Sequence, residues 1–175
     1  WLSDFLGRPG LRLARFDPEV TRLASRRWSG DIEAPIEFAD GFPLLLASQA
    51  SLDELNARLG AAGHPPVGME RFRPNLVLDG VSAQDEDRLA ELRITTAEGR
   101  QVVLRPVKPC ARCPIPNVDP ASAAIHPEVL ATLSTYRANP VLEGAVTFGM
   151  NCVIVQGAGA TLRVGDAVAA DWRFD

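Results

Sequence analysis

The stretch Lys108-Pro109-Cys110-Ala111-Arg112-Cys113-Pro114-Ile115-Pro116-Asn117-Val118-Asp119-Pro120 limits what this chain can fold into more than any other. Each of its prolines fixes φ and lacks an N–H, which bars the segment from a helix interior and from a central strand. A stiff, extended loop is expected, presenting two thiols from a fixed backbone, the setting in which binding and catalytic groups concentrate. Lys108 is the only lysine of the chain, and with Arg112 it flanks Cys110. Neighbouring positive charge favours the thiolate, the form that attacks or ligates. Cys110 is therefore the leading candidate for a catalytic and metal-ligating residue.

Other chemistries fit the cysteines less well. Cys113 reads either as a second reactive thiol or as a small packed hydrophobe. A zinc site needs four ligands, and a single CxxC would have to recruit His64, His126 or Cys152 from far along the chain. A dithiol redox pair belongs at a helix start within a βαβ pattern, whereas here prolines follow the second cysteine.

The rest of the chain alternates short strands with few helices. Trp1 to Leu6 suggests an amphipathic turn, and Leu11-Arg12-Leu13-Ala14-Arg15-Phe16 carries the period of a half-buried strand. Asp17 to Gly41 sustains no period and is expected to cross the surface. Phe42 to Ala47 is a buried strand with its proline near the start. Ser51 and Glu54 have capping-box spacing, and Leu52, Leu55 and Leu59 supply a helical stripe that Gly60 or Gly63 ends. His64 beside two prolines reads as a solvated loop residue. Arg73 and Asn75 flank Pro74 just before the strand Leu76–Asp79, placing rigid donors that suit an anionic, hydrogen-bonding ligand. Gly80 to Arg88 is expected to be an acidic, solvent-facing loop. A hairpin spans Leu92–Thr96 and Gln101–Arg105 and leads directly into the Cys110 loop.

After that loop, Pro127-Glu128 opens a helix whose Val129, Leu130, Leu133 and Tyr136 share one face, with Arg137 at its end. Phe148 to Asn151 enters the strand Cys152–Val155, where Cys152 is a packed core thiol. Gly157-Ala158-Gly159 is a turn and lacks the further glycine of a dinucleotide loop. Leu162–Asp166 and Ala167–Trp172 read as a hairpin-like pair. Seven or so short strands against two convincing helices predict a mostly β, largely antiparallel barrel with a few peripheral helices.

At 175 residues the chain is expected to form one domain, 1–40 as a connecting segment and 41–175 as the barrel core. A net charge of −4 disfavours nucleic acid as a partner. Three cysteines without small-domain spacing suit a reducing compartment, and no apolar run is long enough to span a membrane, so a cytoplasmic protein is expected. The chain starts at Trp1 rather than methionine, which suggests missing sequence upstream.

Taken in order, these motifs resemble a molybdenum cofactor sulfurase C-terminal (MOSC) domain. The most similar subgroup is that of the mitochondrial amidoxime-reducing component and its bacterial relatives. The matching pieces are Trp1-Leu2-Ser3, Ser48 to Leu52, Phe72 to Asn75, Lys108 to Cys113, Val118-Asp119-Pro120, Leu133 to Arg137, Phe148 to Asn151 and Val164-Gly165-Asp166.

The resemblance implies a MOSC-type β-barrel that binds a pterin-type (molybdopterin) molybdenum cofactor, with Cys110 as protein ligand to the metal. Ser48, Arg73, Asn75, Lys108 and Arg112 are then the expected cofactor-binding residues. A soft thiolate suits a sulfur-rich metal centre, and arginine suits a phosphate tail. The implied activity is two-electron reduction of small N-hydroxylated compounds, fed by a separate electron-donor protein of ferredoxin or flavoprotein type. The alternative is a sulfur-carrier or cofactor-handling module with a persulfide on Cys110. Pyridoxal phosphate belongs to a different architecture within the family and is not expected here. The resemblance further implies that full-length relatives carry an N-terminal β-barrel domain, expected to be absent from this stretch, and that some bacterial ones carry a C-terminal ferredoxin domain. Asp119-Pro120-Ala121-Ser122 also departs from the Thr-Gly often found after that aspartate.

Overall fold

In the computed structural model, which describes residues 1–173, the sequence forms four α-helices and seven strands. The helices are α1 (Leu2–Phe5), α2 (Arg26–Ser29), α3 (Gln49–Ala61) and α4 (Glu128–Ser134). The strands are β1 (Leu44–Ser48), β2 (Leu76–Leu78), β3 (Leu89–Thr95), β4 (Gln101–Ala111), β5 (Ala138–Asn139), β6 (Ala145–Gln156) and β7 (Ala167–Trp172). They join one sheet in the order β2-β1-β6-β4-β3-β7, with β5 beside β6. The mostly β architecture expected from the sequence is present as a curled half-barrel with a few helices at its margin. Its pairs are antiparallel except β1 with β2, which run parallel because α3 carries the chain across between them.

Two faces of this sheet are covered. One side holds Leu46, Leu89, Leu92, Leu104, Met150 and Cys152. On the other, α3 and α4 bury Leu52, Leu55, Leu59, Val129 and Leu133 against Phe72 and Phe148. Gly149 makes both possible from one strand. Met150 faces the interior while Phe148, two residues away, joins the helix layer, and Gly149 between them has φ +75°. A Cβ there would sit 2.5 Å from the Leu46 carbonyl oxygen.

Several expectations need correction. The stretch through Ala111 is not loop: β4 lies between β6 and β3 and includes Pro106, Pro109 and Cys110. Register shifts between Pro106 and Lys108 and between Pro109 and Ala111 interrupt the β6 ladder, so the missing N–H groups fall where pairing is already irregular. Leu11–Phe16 is not a strand; no sheet edge meets it, and Leu13 is 90% exposed. The 17–41 stretch does more than cross the surface, since Ala24, Ala34 and Ile36 form a small core with Val153.

The cap of α3 is Ser48 rather than Ser51: Ser48 Oγ accepts from Ser51 N at 3.1 Å, and Glu54 turns to Arg58 and Gln84. The helix after Pro127 ends at Ser134, short of Arg137, and Pro127 itself is the cap position. Leu162–Asp166 forms a turn, and β7 pairs with β3 instead.

Candidate functional site

Cys110 sits at the end of β4, half-buried. Its Sγ accepts from Arg112 Nη1 at 3.2 Å. The same guanidinium donates from Nη2 to the Phe72 carbonyl at 2.8 Å and lies 5.7 Å from the Phe72 ring centre. Its Nε is buried without an acceptor. The ladder holds one residue beyond the strand, where Arg112 N donates to Val146 O at 2.9 Å.

Downstream, Arg71 anchors the loop. Buried to 7% exposure, it donates from Nη1 to the carbonyls of Pro116 and Asn117, both at 3.4 Å, and its Nη2 lies 3.5 Å from Asp119 Oδ2. Asn117 Oδ1 accepts from Leu130 N at 3.0 Å and so satisfies a first-turn donor of α4. The Asp119 carboxylate accepts from Ala121 N at 2.8 Å. That backbone bond, helped by Ser122 and Arg71, holds its carboxyl below the ordinary carboxylate range.

Arg73 and Asn75 occupy a turn fixed at both ends. Phe72 is fully buried and stacks on Phe148, ring centres 3.9 Å apart. Asn75 N donates to Leu45 O and Asn75 Oδ1 accepts from Leu45 N, each at 2.8 Å, so its side chain extends the β2–β1 pairing. Between these anchors Arg73 adopts φ +55°, a region costly for a residue with a side chain, and stands exposed. Among the described residues it has no carboxylate partner.

Among the described residues Lys108 is also without a carboxylate. Its half-buried Nζ lies 5.6 Å from the Trp28 ring centre and 5.9 Å from that of Phe42. It pairs in the ladder with Asn151, which in turn pairs with Leu45. Lys108, Asn151, Leu45 and Asn75 thus form one row across four segments of the sheet.

Ser48 is placed differently. It is fully buried, and its Oγ lies 2.8 Å from Glu86 Oε2 and 2.9 Å from Ser51 Oγ while capping α3. Its hydroxyl is committed inward, and the residue stands at the site only as the start of α3. Glu86, 1% exposed, belongs to the turn Asp85–Arg88 and corrects the expectation of a solvent-facing loop over 80–88. Nearby Arg137, 8% exposed, bridges to Asp87 at 2.7 Å and to Gln84 at 3.1 Å.

Arg112 thus brings Cys110 together with the Phe72–Asn75 turn, and the sheet row links Asn75 with Lys108. The residues that sequence reasoning missed are Phe72, Arg71, Asn151 and Glu86. Only Phe72 carried a signal, as the aromatic beside the Arg-Pro-Asn run. Of the other thiols, Cys113 is exposed, and burial pushes Cys152 up to about 12, leaving it an inert core group. The arrangement offers one soft sulfur donor braced by Arg112 and two cations, Arg73 and Lys108, without counter-ions among the described residues. Such a set suits an anionic ligand.

Comparison with known proteins bears on this geometry. The MOSC domain family model matches residues 33–169. Mouse mitochondrial amidoxime-reducing component 1 is 32% identical over 175 residues, covering 96% of this chain and 48% of the mouse protein. Human mitochondrial amidoxime reducing component 2 is 34% identical over 140 residues, covering 78% of this chain and 39% of the human one. Rice molybdenum cofactor sulfurase is 32% identical over 162 residues, covering 86% of this chain and 19% of the rice protein. The chain therefore spans about half or less of the length of these relatives.

Proposed function

The chain belongs to the MOSC domain family, and from that premise we propose that it is the molybdenum-cofactor-binding part of an oxidoreductase acting on small N-hydroxylated compounds. The observation that supports this reading is the half-buried Cys110 thiol held at 3.2 Å by Nη1 of the Arg112 guanidinium, a soft donor beside a fixed positive charge. A cation fixed beside the sulfur favours the thiolate and an anionic ligand bound there. In this reading Cys110 ligates molybdenum. Arg73 and Lys108 neutralise the anionic tail, Asn75 orients it, Arg112 offers its spare donor, and Ser48 contributes by fixing the start of α3. The cofactor, when bound, supplies the two-electron redox chemistry; the chain supplies ligation, orientation and positive potential.

Residues 1–40 act as the connecting segment and 41–175 as the barrel core. Electrons come from a separate ferredoxin- or flavoprotein-type donor. Among the described residues no helix is long and apolar enough to cross a membrane. Two of the relatives quoted above are named mitochondrial, whereas free thiols in this chain suit any reducing compartment, the cytoplasm included.

The test is to make the protein in a host that produces the cofactor, then measure bound molybdenum and pterin and turnover of an N-hydroxylated test compound with an artificial donor. Cys110→Ser is expected to abolish turnover, because serine is a harder and poorly ionised donor. Cys113→Ser is expected to keep most of it. Full turnover in Cys110→Ser contradicts the reading.

A second reading, a sulfur-carrier module, is favoured by the similarity to the rice sulfurase. It places a persulfide on Cys110, which mass spectrometry of the intact protein before and after reduction detects.

A further inference from the structure

Arg112 does something that a cofactor contact alone does not require. Its two terminal nitrogens reach groups that arrive from different parts of the chain: the Cys110 thiol at the end of β4 and the Phe72 carbonyl, some 40 positions earlier. Phe72 opens the turn in which Arg73 is held at φ +55° and Asn75 pairs with Leu45. A left-handed conformation at a non-glycine residue persists only where its surroundings over-determine it. Here the far end is fixed by the Asn75–Leu45 pair of bonds, and the near end by the stacked Phe72 ring and by Arg112 on its carbonyl.

We infer that Arg112 is a positioning residue that locks the thiol of Cys110 and the Phe72–Asn75 turn into one rigid unit. The sulfur and the Arg73 side chain then keep a fixed relation before any ligand arrives. The planar guanidinium suits this task because its donors diverge in a fixed fork. Lysine carries its three donors on one nitrogen at the end of a flexible stem, so it can reach both acceptors but holds them less rigidly. The inference concerns this chain's own residues, and it rests on the proposed function only for the purpose that the rigidity serves.

The experiment is amide hydrogen exchange by NMR on the ligand-free full chain, comparing wild type with Arg112→Met and Arg112→Lys. The reporters are Leu45 and Asn75, whose N–H groups close the far end of the turn. The references are Leu92 and Ile94 in β3, remote in the sheet order from β1 and β2. In Arg112→Met, exchange at the two reporters is expected to rise about tenfold relative to the references, and in Arg112→Lys by less.

Unchanged reporters overturn the inference. So does an increase shared equally by the references, which marks a general loss of stability and no specific brace. Because no molybdenum is present, this outcome is independent of whether Cys110 ligates metal. A parallel measurement on protein from a cofactor-producing host separates the two questions. Arg112→Met is expected to retain several-fold less pterin than wild type while Cys110 remains intact. Reporter loosening without any change in pterin retention leaves the brace standing and removes the purpose assigned to it.

Discussion

Ser48 shows how much a single buried hydroxyl can be asked to do. It caps α3, meets Ser51 and gives Glu86 its hydrogen-bond partner, all at 0% exposure. Ser48→Ala should remove a cap worth about 1 kcal/mol and strip a buried carboxylate of its donor, which costs about 1–3 kcal/mol more. Arg88→Ala, at an exposed pair with Asp85, should stay within about 0.5 kcal/mol. Urea denaturation of the two variants measures the difference, and equal midpoints would contradict this account of the network.

The thiols make a second residue-scale prediction. Native protein treated with iodoacetamide should be modified at Cys113 and more slowly at Cys110, with Cys152 labelled only after unfolding. Labelling of native Cys152 would show that the interior is not closed as described. That Arg112 lies against Cys110 was legible from their neighbourhood in sequence. Glu86 was not, because an acidic run shows how many charges it holds and nothing of which one finds a buried serine.

At the scale of elements, the sequence patterns that succeeded were those whose partners lie close by. The Leu52-Leu55-Leu59 stripe is the buried face of α3, and Thr95 pairs with Gln101 in the hairpin. Long β4 was misread because prolines forbid an ordinary ladder, and only the pairing with β6 reveals where bulges absorb them. Leu11–Phe16 erred the other way, since an alternating period states what a strand would look like but supplies no neighbouring edge.

A largely buried tie between elements is Arg137 with Asp87, which joins the chain after α4 to the turn before β3. Arg137→Met should cost about 3–5 kcal/mol by leaving a carboxylate unpaired, and adding Asp87→Asn should recover part of it. A double-mutant cycle with no coupling would refute the tie. The Asp119 turn predicts a pH effect. Its carboxyl is depressed in the folded state, so its contribution is fully present above the ordinary carboxylate range and is lost as pH falls through the lowered value. Acid-stage proteolysis of the 114–126 segment should therefore rise at low pH in the wild type, and Asp119→Asn should show the same susceptibility at neutral pH.

For the molecule as a whole, the mostly β half-barrel and membership of the MOSC family were both within reach of the ordered motifs, and the family model covers 33–169. What motifs could not give is the way distant segments converge, because Arg112 joins Cys110 to Phe72 and the β2–β1 edge joins Asn75 to Leu45. The central claim is that this convergence makes Cys110 a ligand to molybdenum. X-ray absorption at the molybdenum edge tests it most directly, on wild type and Cys110→Ser prepared in the same cofactor-producing host. The account predicts one fewer sulfur neighbour around molybdenum in the variant and an unchanged count in Cys113→Ser. An identical sulfur shell in wild type and Cys110→Ser would contradict it.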